Sequence, residues 1–481
     1  MSIERFVSEG LAHNSYIVAD GGEAAVIDPR RDVDVYLDLA RENGLRIRYV
    51  LETHRNEDYV IGSSALAKLT GATVLHSSRL AFDYGTPVHE GDRFGVGSLE
   101  LRVLETPGHT DESLSFVLGE TKARGDAFMV FTGDTLFVGE VGRIDLYGES
   151  ERPRLAAALY ESLFGKLLPL GDGVILAPAH GGGSVCGGHI SARQHSTLGY
   201  ERRHNPRLVE PGREAFVRAL LAQELVRPPY FRRMEELNEH GDPAVFARAP
   251  SLVPLRTGEF EERLRAGAIA IDARMPQAFA GGHVPGSYNV WLEGLPVYLP
   301  WVISHDTPLV LVLPEQASVE QVARMLLRIG FDRVEGYLRG GFTSWQEEGR
   351  EIAHVGTLST AELRRWVESQ ADVAIVDVRQ PGEWEKGLVP GARPIFVGEL
   401  ERRIDELPGD RPVVTMCSSG NRGGIAASIL ARHGFHHVFN YLGGFGAWKA
   451  SGLQTVKLER AQAQPTAEAP FEDRDADWPP A

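Results

Sequence analysis

Strand-like runs in this chain repeatedly stop at residues that bind metals or carry sulfur. "LETHRNEDYV" (51 to 60) sets His54, Asn56, Asp58 and Tyr59 just past an apolar run, "ETPGHTDES" brings His109, "FTGDTLF" Asp134 and "ILAPAHGGG" His180. Singly each is an ordinary turn residue, but imidazoles and carboxylates in such company are candidate ligands of a first-row cation. A second chemistry lies near the other end. In "VVTMCSSGNRGGIAASILARHGF" a buried strand precedes Cys417, a six-residue turn runs to Arg422, and a helix follows with Ile425, Ile429 and Leu430 on one face and Gly434 at its end. The N–H groups of Ser418, Ser419, Gly420, Asn421 and Arg422, the helix N-terminus and the guanidinium form an anion cradle around the thiol. They favour its thiolate and a bound persulfide or sulfonate. Cys186, in the Gly-rich "GGGSVCGGH", reads either as a small buried apolar residue or as a thiol that meets a sulfur substrate.

The elements that must position these groups fall into segments. At 481 residues the chain predicts about three domains. Up to about residue 245, β-rich runs such as "AAVIDP", "ATVLHS" and "LRVLETP" alternate with helical patterns such as "VDVYLDLARENG", which predicts an α/β layer structure. Beyond residue 250 the chain repeats itself: "AIDARMPQAFAGGHVPGSYNV" lies over "IVDVRQPGEWEKGLVPGARPI", "RIGF" over "RHGF", and "YLRGGFTSW" over "YLGGFGAW" with one residue inserted. The expected boundaries are 1–248, 249–353, 354–457, and a disordered Pro/Ala/acidic tail over 458–481. A net charge of −16 without a basic stripe argues against nucleic acid. Two cysteines in different segments exclude a disulfide framework and suit a reducing compartment. No apolar run is long enough for a membrane span, and "MSIERFVSEG" lacks the basic start of a secretion signal, so a cytoplasmic location is expected.

The ligand pattern resembles the metallo-β-lactamase superfamily, whose αββα sandwich gathers metal ligands on loops at one sheet edge. Where that superfamily has H-x-H-x-D-H, this chain has His54, Asn56, Asp58 and Tyr59. Two imidazoles are missing, which leaves a second metal only Asp58, His180 and a shared Asp134. The first keeps His54, His109 and Asp134, a two-histidine, one-carboxylate set of the kind that leaves positions open on non-haem Fe(II). "THRNEDYVIGS", "TPGHTDES", "FTGDTLFVGEVGRIDL", "APAHGGG", "STLGYERRHNP" and "RPPYFRRMEELNEHG" sharpen the resemblance to persulfide dioxygenases. It implies one Fe(II) per chain on His54, His109 and Asp134, with Asp58, Tyr59 and His180 supporting those ligands and Cys186 and Arg143 at the substrate.

The last repeat resembles the rhodanese sulfurtransferases, with "IVDVRQPGEW" and "LGGFGAW" as landmarks and Leu388 in place of a common His. The resemblance makes Cys417 the carrier of sulfane sulfur, assisted by Arg422. In the preceding repeat Leu313 stands opposite Cys417 and Ser318 opposite Arg422, and Glu315 brings negative charge, so this domain is expected to be inactive and to serve as a spacer or interface. The three-domain order is similar to fused persulfide dioxygenase-sulfurtransferases of sulfide detoxification. It implies O₂-dependent oxidation of a low-molecular-weight persulfide to sulfite, then thiosulfate formation at Cys417, in what is expected to be a homo-oligomer. The alternatives are a zinc-dependent glyoxalase-II-like thioester hydrolase fused to a rhodanese, which would need the imidazoles absent at Asn56 and Tyr59, and a sulfur-relay protein that oxidises nothing.

Overall fold

A computed structural model describes residues 1–121, 126–184, 186–187, 189–209, 212–223 and 225–458. The tail expected over 458–481 lies, from residue 459 on, outside the described residues. The chain forms two compact units, one of residues 1–250 with 324–330, the other of residues 251–323 with 331–481. No helix among the described residues is long and apolar enough to cross a membrane.

The first unit stacks two six-stranded sheets between helices. In one, Ser2–Ser8, His13–Asp20 and Glu23–Ile27 run antiparallel and Arg46–Leu51, Thr73–Ser77 and Thr86–Val88 continue in parallel. The other is ordered Ser196–Thr197, Ile175–Pro178, Met129–Gly133, Leu114–Glu120, Leu99–Glu105, Arg93–Val96. Alternation along the strands sends Val18, Ile27, Leu51, Leu101, Phe116 and Phe131 into one layer between the sheets. The opposite faces bury Val26 and Val50 with Tyr36 and Leu66 of helices Asp34–Glu42 and Ser63–Thr70, and Val130 and Leu176 with Leu155 and Leu159 of helix Arg152–Tyr160. This is the expected αββα sandwich.

At one edge the two sheets are tied together. Leu114 N–H donates to Thr53 O (2.6 Å), Asn14 N–H to Ala179 O (2.6 Å), and Tyr16 Oη to Pro178 O (2.8 Å). Gly133 lets them close: it has φ +51°, and a Cβ there would lie 2.6 Å from Thr53 Oγ1. His54, His109, Asp134 and His180 all lie just beyond strands that end at this edge.

The loop after Arg46–Leu51 is held from outside. Asn56 takes a left-handed φ of 54°, which Asn tolerates better than most residues, and its Nδ2 turns back to His54 O (3.0 Å). Asn238, on helix Phe231–His240, donates through Nδ2 to Asn56 O (2.7 Å) and Tyr59 O (2.8 Å), while its Oδ1 accepts from Ile61 N–H (2.9 Å).

The second unit contains two all-parallel five-stranded sheets with one shared permutation. The first is ordered Pro254–Leu255, Val334–Leu338, Leu309–Val312, Ile269–Asp272, Tyr288–Asn289, the second Gly356–Leu358, Val438–Tyr441, Val413–Met416, Ala374–Asp377, Ala392–Pro394. The repeat extends to side chains. Arg274 pairs with Asp272 and caps Gly282 O (2.8 Å), just as Arg379 pairs with Asp377 and caps Gly387 O (2.7 Å).

Asn238→Ala leaves three buried backbone groups without their partner, and a loss of about 3 kcal/mol is expected, read as a lower melting point of the first unit by far-UV circular dichroism. An unchanged melting point would show that the loop keeps its shape unaided.

Candidate active sites

His54, His109 and Asp134 are buried and converge. His54 Nε2 lies 3.9 Å and His109 Nε2 3.7 Å from Asp134 Oδ2. The other ring nitrogens fix which lone pairs point inward. His109 Nδ1 faces Arg143 O (3.0 Å), a carbonyl that only accepts, so Nδ1 carries the hydrogen. Thr53 Oγ1 donates to Asp28 Oδ2 (2.7 Å) and is left to accept from His54 Nδ1 (2.9 Å). Both rings therefore present Nε2 to the centre. Asp134 is oriented in turn, since its Oδ1 binds His180 Nδ1 (2.8 Å) and Oδ2 remains free for the histidines. His54 Nε2, His109 Nε2 and Asp134 Oδ2 have no hydrogen-bond partner among the described residues. Two imidazoles and a carboxylate, each buried with its inner atom unpaired, fit a first-row cation such as Fe(II).

Charge agrees with this. Burial alone would raise the Asp134 carboxyl, but His180 and the other facing imidazoles win and hold it below its ordinary range. Burial would likewise lower the His54 ring, but Glu57 and Asp134 bring it up to about 9. Positive charge at the inner nitrogens is thus stabilised, whether carried by protons or by a metal.

The remaining predicted positions divide. Asp58 Oδ2 lies 3.0 Å from His180 Nε2, so His180 sits between Asp134 and Asp58. Tyr59 packs against His13 with ring centroids 3.9 Å apart, and its hydroxyl donates to Asp28 O (3.5 Å). Arg143 is buried, its guanidinium held by Asp145 (Nε to Oδ1, 2.7 Å) and by Val226 O (3.2 Å). Its carbonyl orients His109. Cys186 is fully buried and reaches the cluster, donating to Glu57 Oε1 at 3.5 Å. Burial, then Asp58 and Glu57, push its thiol up.

The motif comparison passed over several residues. Glu57 occupies a spacer position of H-x-H-x-D-H, yet its carboxylate lies against His54 and His109. Asp28 orients Thr53, and burial raises its carboxyl to about 6. Tyr230, 4% exposed with an unpartnered hydroxyl among the described residues, lies in the field of Asp58 and Cys186.

In the second unit Cys417 ends strand Val413–Met416 and is 1% exposed. Gly420 N–H points at its Sγ (3.1 Å), and Gly420, with φ 94°, begins helix Asn421–Arg432. Gly444 is needed beneath this loop: with φ +58°, a Cβ there would stand 2.4 Å from Ser418 C. Ser419 is exposed and Asn421 half-buried. Arg422 is not aimed at the thiol alone. It forms a fork on Glu383 (Nη1 to Oε2 2.5 Å, Nη2 to Oε1 2.9 Å) and donates to Ser418 Oγ (2.9 Å), which donates to Glu383 Oε1 (2.7 Å). Burial pulls the Glu383 carboxyl up, but Arg422 and Ser418 outweigh it and hold it at about 2, ionised through the whole working range.

In the preceding repeat the same register places Ala278 opposite Glu383 and Ser318 opposite Arg422, so both halves of the fork are missing along with the thiol. Leu313 is buried there, while Glu315 is exposed, so its charge is screened by water and opposes an anion less than its sequence position suggests.

The metallo-beta-lactamase superfamily pattern matches residues 9–180, and the rhodanese-like domain matches 257–348 and 359–451. The mitochondrial persulfide dioxygenase ETHE1 of Bos taurus is 31% identical over 222 residues, 44% of this chain and 78% of that protein. A hydroxyacylglutathione hydrolase of Anaeromyxobacter dehalogenans (strain 2CP-C) is 37% identical over 173 residues, 36% of this chain and 62% of that one. The crystal structure of a metallo-beta-lactamase from Staphylococcus aureus subsp. aureus COL superposes with a TM-score of 0.62 at 28% identity, over 70% of this chain and 99% of its own. With a histidine-carboxylate cluster at the edge of an αββα sandwich and two parallel-sheet repeats later in the sequence, the chain belongs to the persulfide dioxygenase branch of the metallo-β-lactamase superfamily and carries two rhodanese-like domains.

Proposed function

We propose that the protein oxidises a low-molecular-weight persulfide with O₂ at a mononuclear Fe(II) centre and converts the sulfite formed to thiosulfate at Cys417. The observation that carries the first half is the pair of inward Nε2 atoms with Asp134 Oδ2, unpaired and buried, in a chain that has lost two imidazoles of the dinuclear pattern. His54, His109 and Asp134 would hold the iron, which supplies, when bound, one-electron chemistry with O₂ and open positions beside it. The overall change is RSSH + O₂ + H₂O → RSH + SO₃²⁻ + 2H⁺.

The residues around the centre position and exclude. Thr53 and Arg143 O fix the ring orientations, His180 fixes Asp134, and the buried Cys186 and Tyr230 bound the space next to them. At the second site Cys417 attacks the outer sulfur of a persulfide, releasing RSH, and the resulting Cys417 persulfide gives that sulfur to sulfite, regenerating the thiol and forming S₂O₃²⁻. Gly420 N–H stabilises charge on Sγ, and the Glu383–Arg422 fork fixes the guanidinium at the loop entrance.

A zinc thioester hydrolase is the competing reading, favoured by the hydroxyacylglutathione hydrolase relative. Against it, Asn56 turns its amide back on His54 O and Tyr59 packs on His13, so neither supplies a second metal.

One iron per chain is expected in anaerobically purified protein. His109→Ala should lose both iron and persulfide-dependent O₂ uptake, whereas His180→Ala should keep most of the iron by elemental analysis; two tightly held zinc ions in active protein would favour the hydrolase. Cys417→Ser should abolish thiosulfate formation while O₂ uptake persists and sulfite accumulates, and loss of O₂ uptake as well would mean that the two sites are not separate. Restoring only the thiol of the inactive repeat should fail: Leu313→Cys in the Cys417→Ser background lacks both members of the fork, so thiosulfate:cyanide sulfurtransferase activity should stay at background. Recovery of that activity would show that the loop backbone suffices.

A further inference from the structure

We infer that Glu57 is a fourth protein ligand of the metal centre, making it a two-histidine, two-carboxylate site. The inference rests on reading the cluster as a metal site and is independent of the reaction assigned to it. Glu57 is 2% exposed, with Oε1 3.3 Å from His109 Nε2 and Oε2 3.6 Å from His54 Nε2, closer to both rings than Asp134 Oδ2 at 3.7 and 3.9 Å. His54, His109 and Glu57 alone bring three donor atoms within 4.8 Å of one another.

The alternative is that Glu57 merely balances protonated histidines. Distances speak against it. A charge-assisted N–H···O contact closes to about 2.7–2.9 Å, and both separations here are longer. Two donors at about 2.0–2.2 Å from a shared cation stand roughly 2.8–3.6 Å apart, for angles between octahedral and tetrahedral. The Glu57 separations fall in or at the end of that range, and those of Asp134, at 3.7 and 3.9 Å, lie just beyond it, so Glu57 meets the condition at least as well as the carboxylate already assigned. Both Nδ1 atoms already donate, to Thr53 Oγ1 and Arg143 O, so each Nε2 is the nitrogen turned to the centre and available to a cation once its proton is displaced.

The backbone explains how a spacer residue reaches the centre. The left-handed turn at Asn56 sends that side chain back to His54 O, and Asn238 holds the carbonyls of Asn56 and Tyr59 on the side of helix Phe231–His240. Glu57, between them, is directed inward. The imidazole missing at Asn56 is thereby answered by the next residue in the chain. On a six-coordinate ion four protein donors leave two positions, where a two-histidine, one-carboxylate set leaves three.

Co(II) binding to metal-free protein tests this by chelator competition and by the intensity of the visible d–d bands. Glu57→Gln keeps the size and removes the charge; it should weaken Co(II) at least tenfold and change the band pattern, with far-UV circular dichroism reporting the fold. Wild-type affinity and an unchanged spectrum in folded Glu57→Gln would overturn the inference and leave the metal reading intact, whereas no Co(II) binding by the wild type would sink both. Should Glu57→Gln fail to fold, Mn(II)-substituted wild-type protein decides: pulsed EPR in ¹⁷O-water should count two bound waters, and three would overturn the assignment.

Discussion

Three carboxylates, Glu57, Asp58 and Asp134, are buried in one cluster, and the first unit must compensate them. A carboxylate moved out of water without a partner costs several kcal/mol, so the arrangement is stable only because imidazoles face every one of them. That requirement reaches outward through the sandwich. The rings point correctly because Asp28 and Thr53 turn one and Arg143 O turns the other. The backbone bonds from Leu114 to Thr53 and from Asn14 to Ala179 then bring the ends of both sheets to the same place. Negative charge is what the fold concentrates, and a cation is what such a concentration binds.

The second unit sets a loop that carries a thiol beside one that lacks it. Both repeats keep the same strand permutation and the same arginine cap, Arg274 and Arg379, over rings at 4.2 and 4.0 Å. Those features maintain the fold and survive in both. The thiol, Arg422 and Glu383 are absent together from the first repeat. Such joint loss is what the fork predicts, because Arg422 or Glu383 alone would leave a charge poorly compensated in a part-buried setting.

The αββα sandwich, the repeated parallel domains and the convergence of His54, His109 and Asp134 were legible in the sequence, because strand ends, glycine turns and repeated strings are local signals. Glu57 was not, since the motif treats its position as filler and the left-handed turn at Asn56, with Asn238 holding the flanking carbonyls, sets where its side chain goes. Glu383 was hidden by distance: it stands in "QPGEW", well ahead of the loop it pairs with, and nothing local marks it as the partner of Arg422. Arg143 was expected at the substrate, and its carbonyl, which a side-chain reading does not consider, also faces His109 Nδ1. Glu315 was given too much weight because sequence position does not report exposure.

The repeat without the thiol packs against the one that has it. Asn289 N–H donates to Ser428 Oγ (3.0 Å) on the helix that follows the Cys417 loop, and a Cβ on Gly424 of that helix would lie 2.7 Å from Asn289 Oδ1. Trp301 meets Phe396 edge-on at 5.1 Å. Along the same short helix, Leu295–Val302, Tyr298 packs on Trp291 and shares an electrostatic field with Arg422, Cys417 and Glu383. A helix whose N-terminus faces a thiol loop needs a fixed position, and here the repeat that has no thiol supplies part of its packing, through Asn289 against Ser428 and Gly424. That packing asks the first repeat for its fold and makes no demand on a thiol at Leu313.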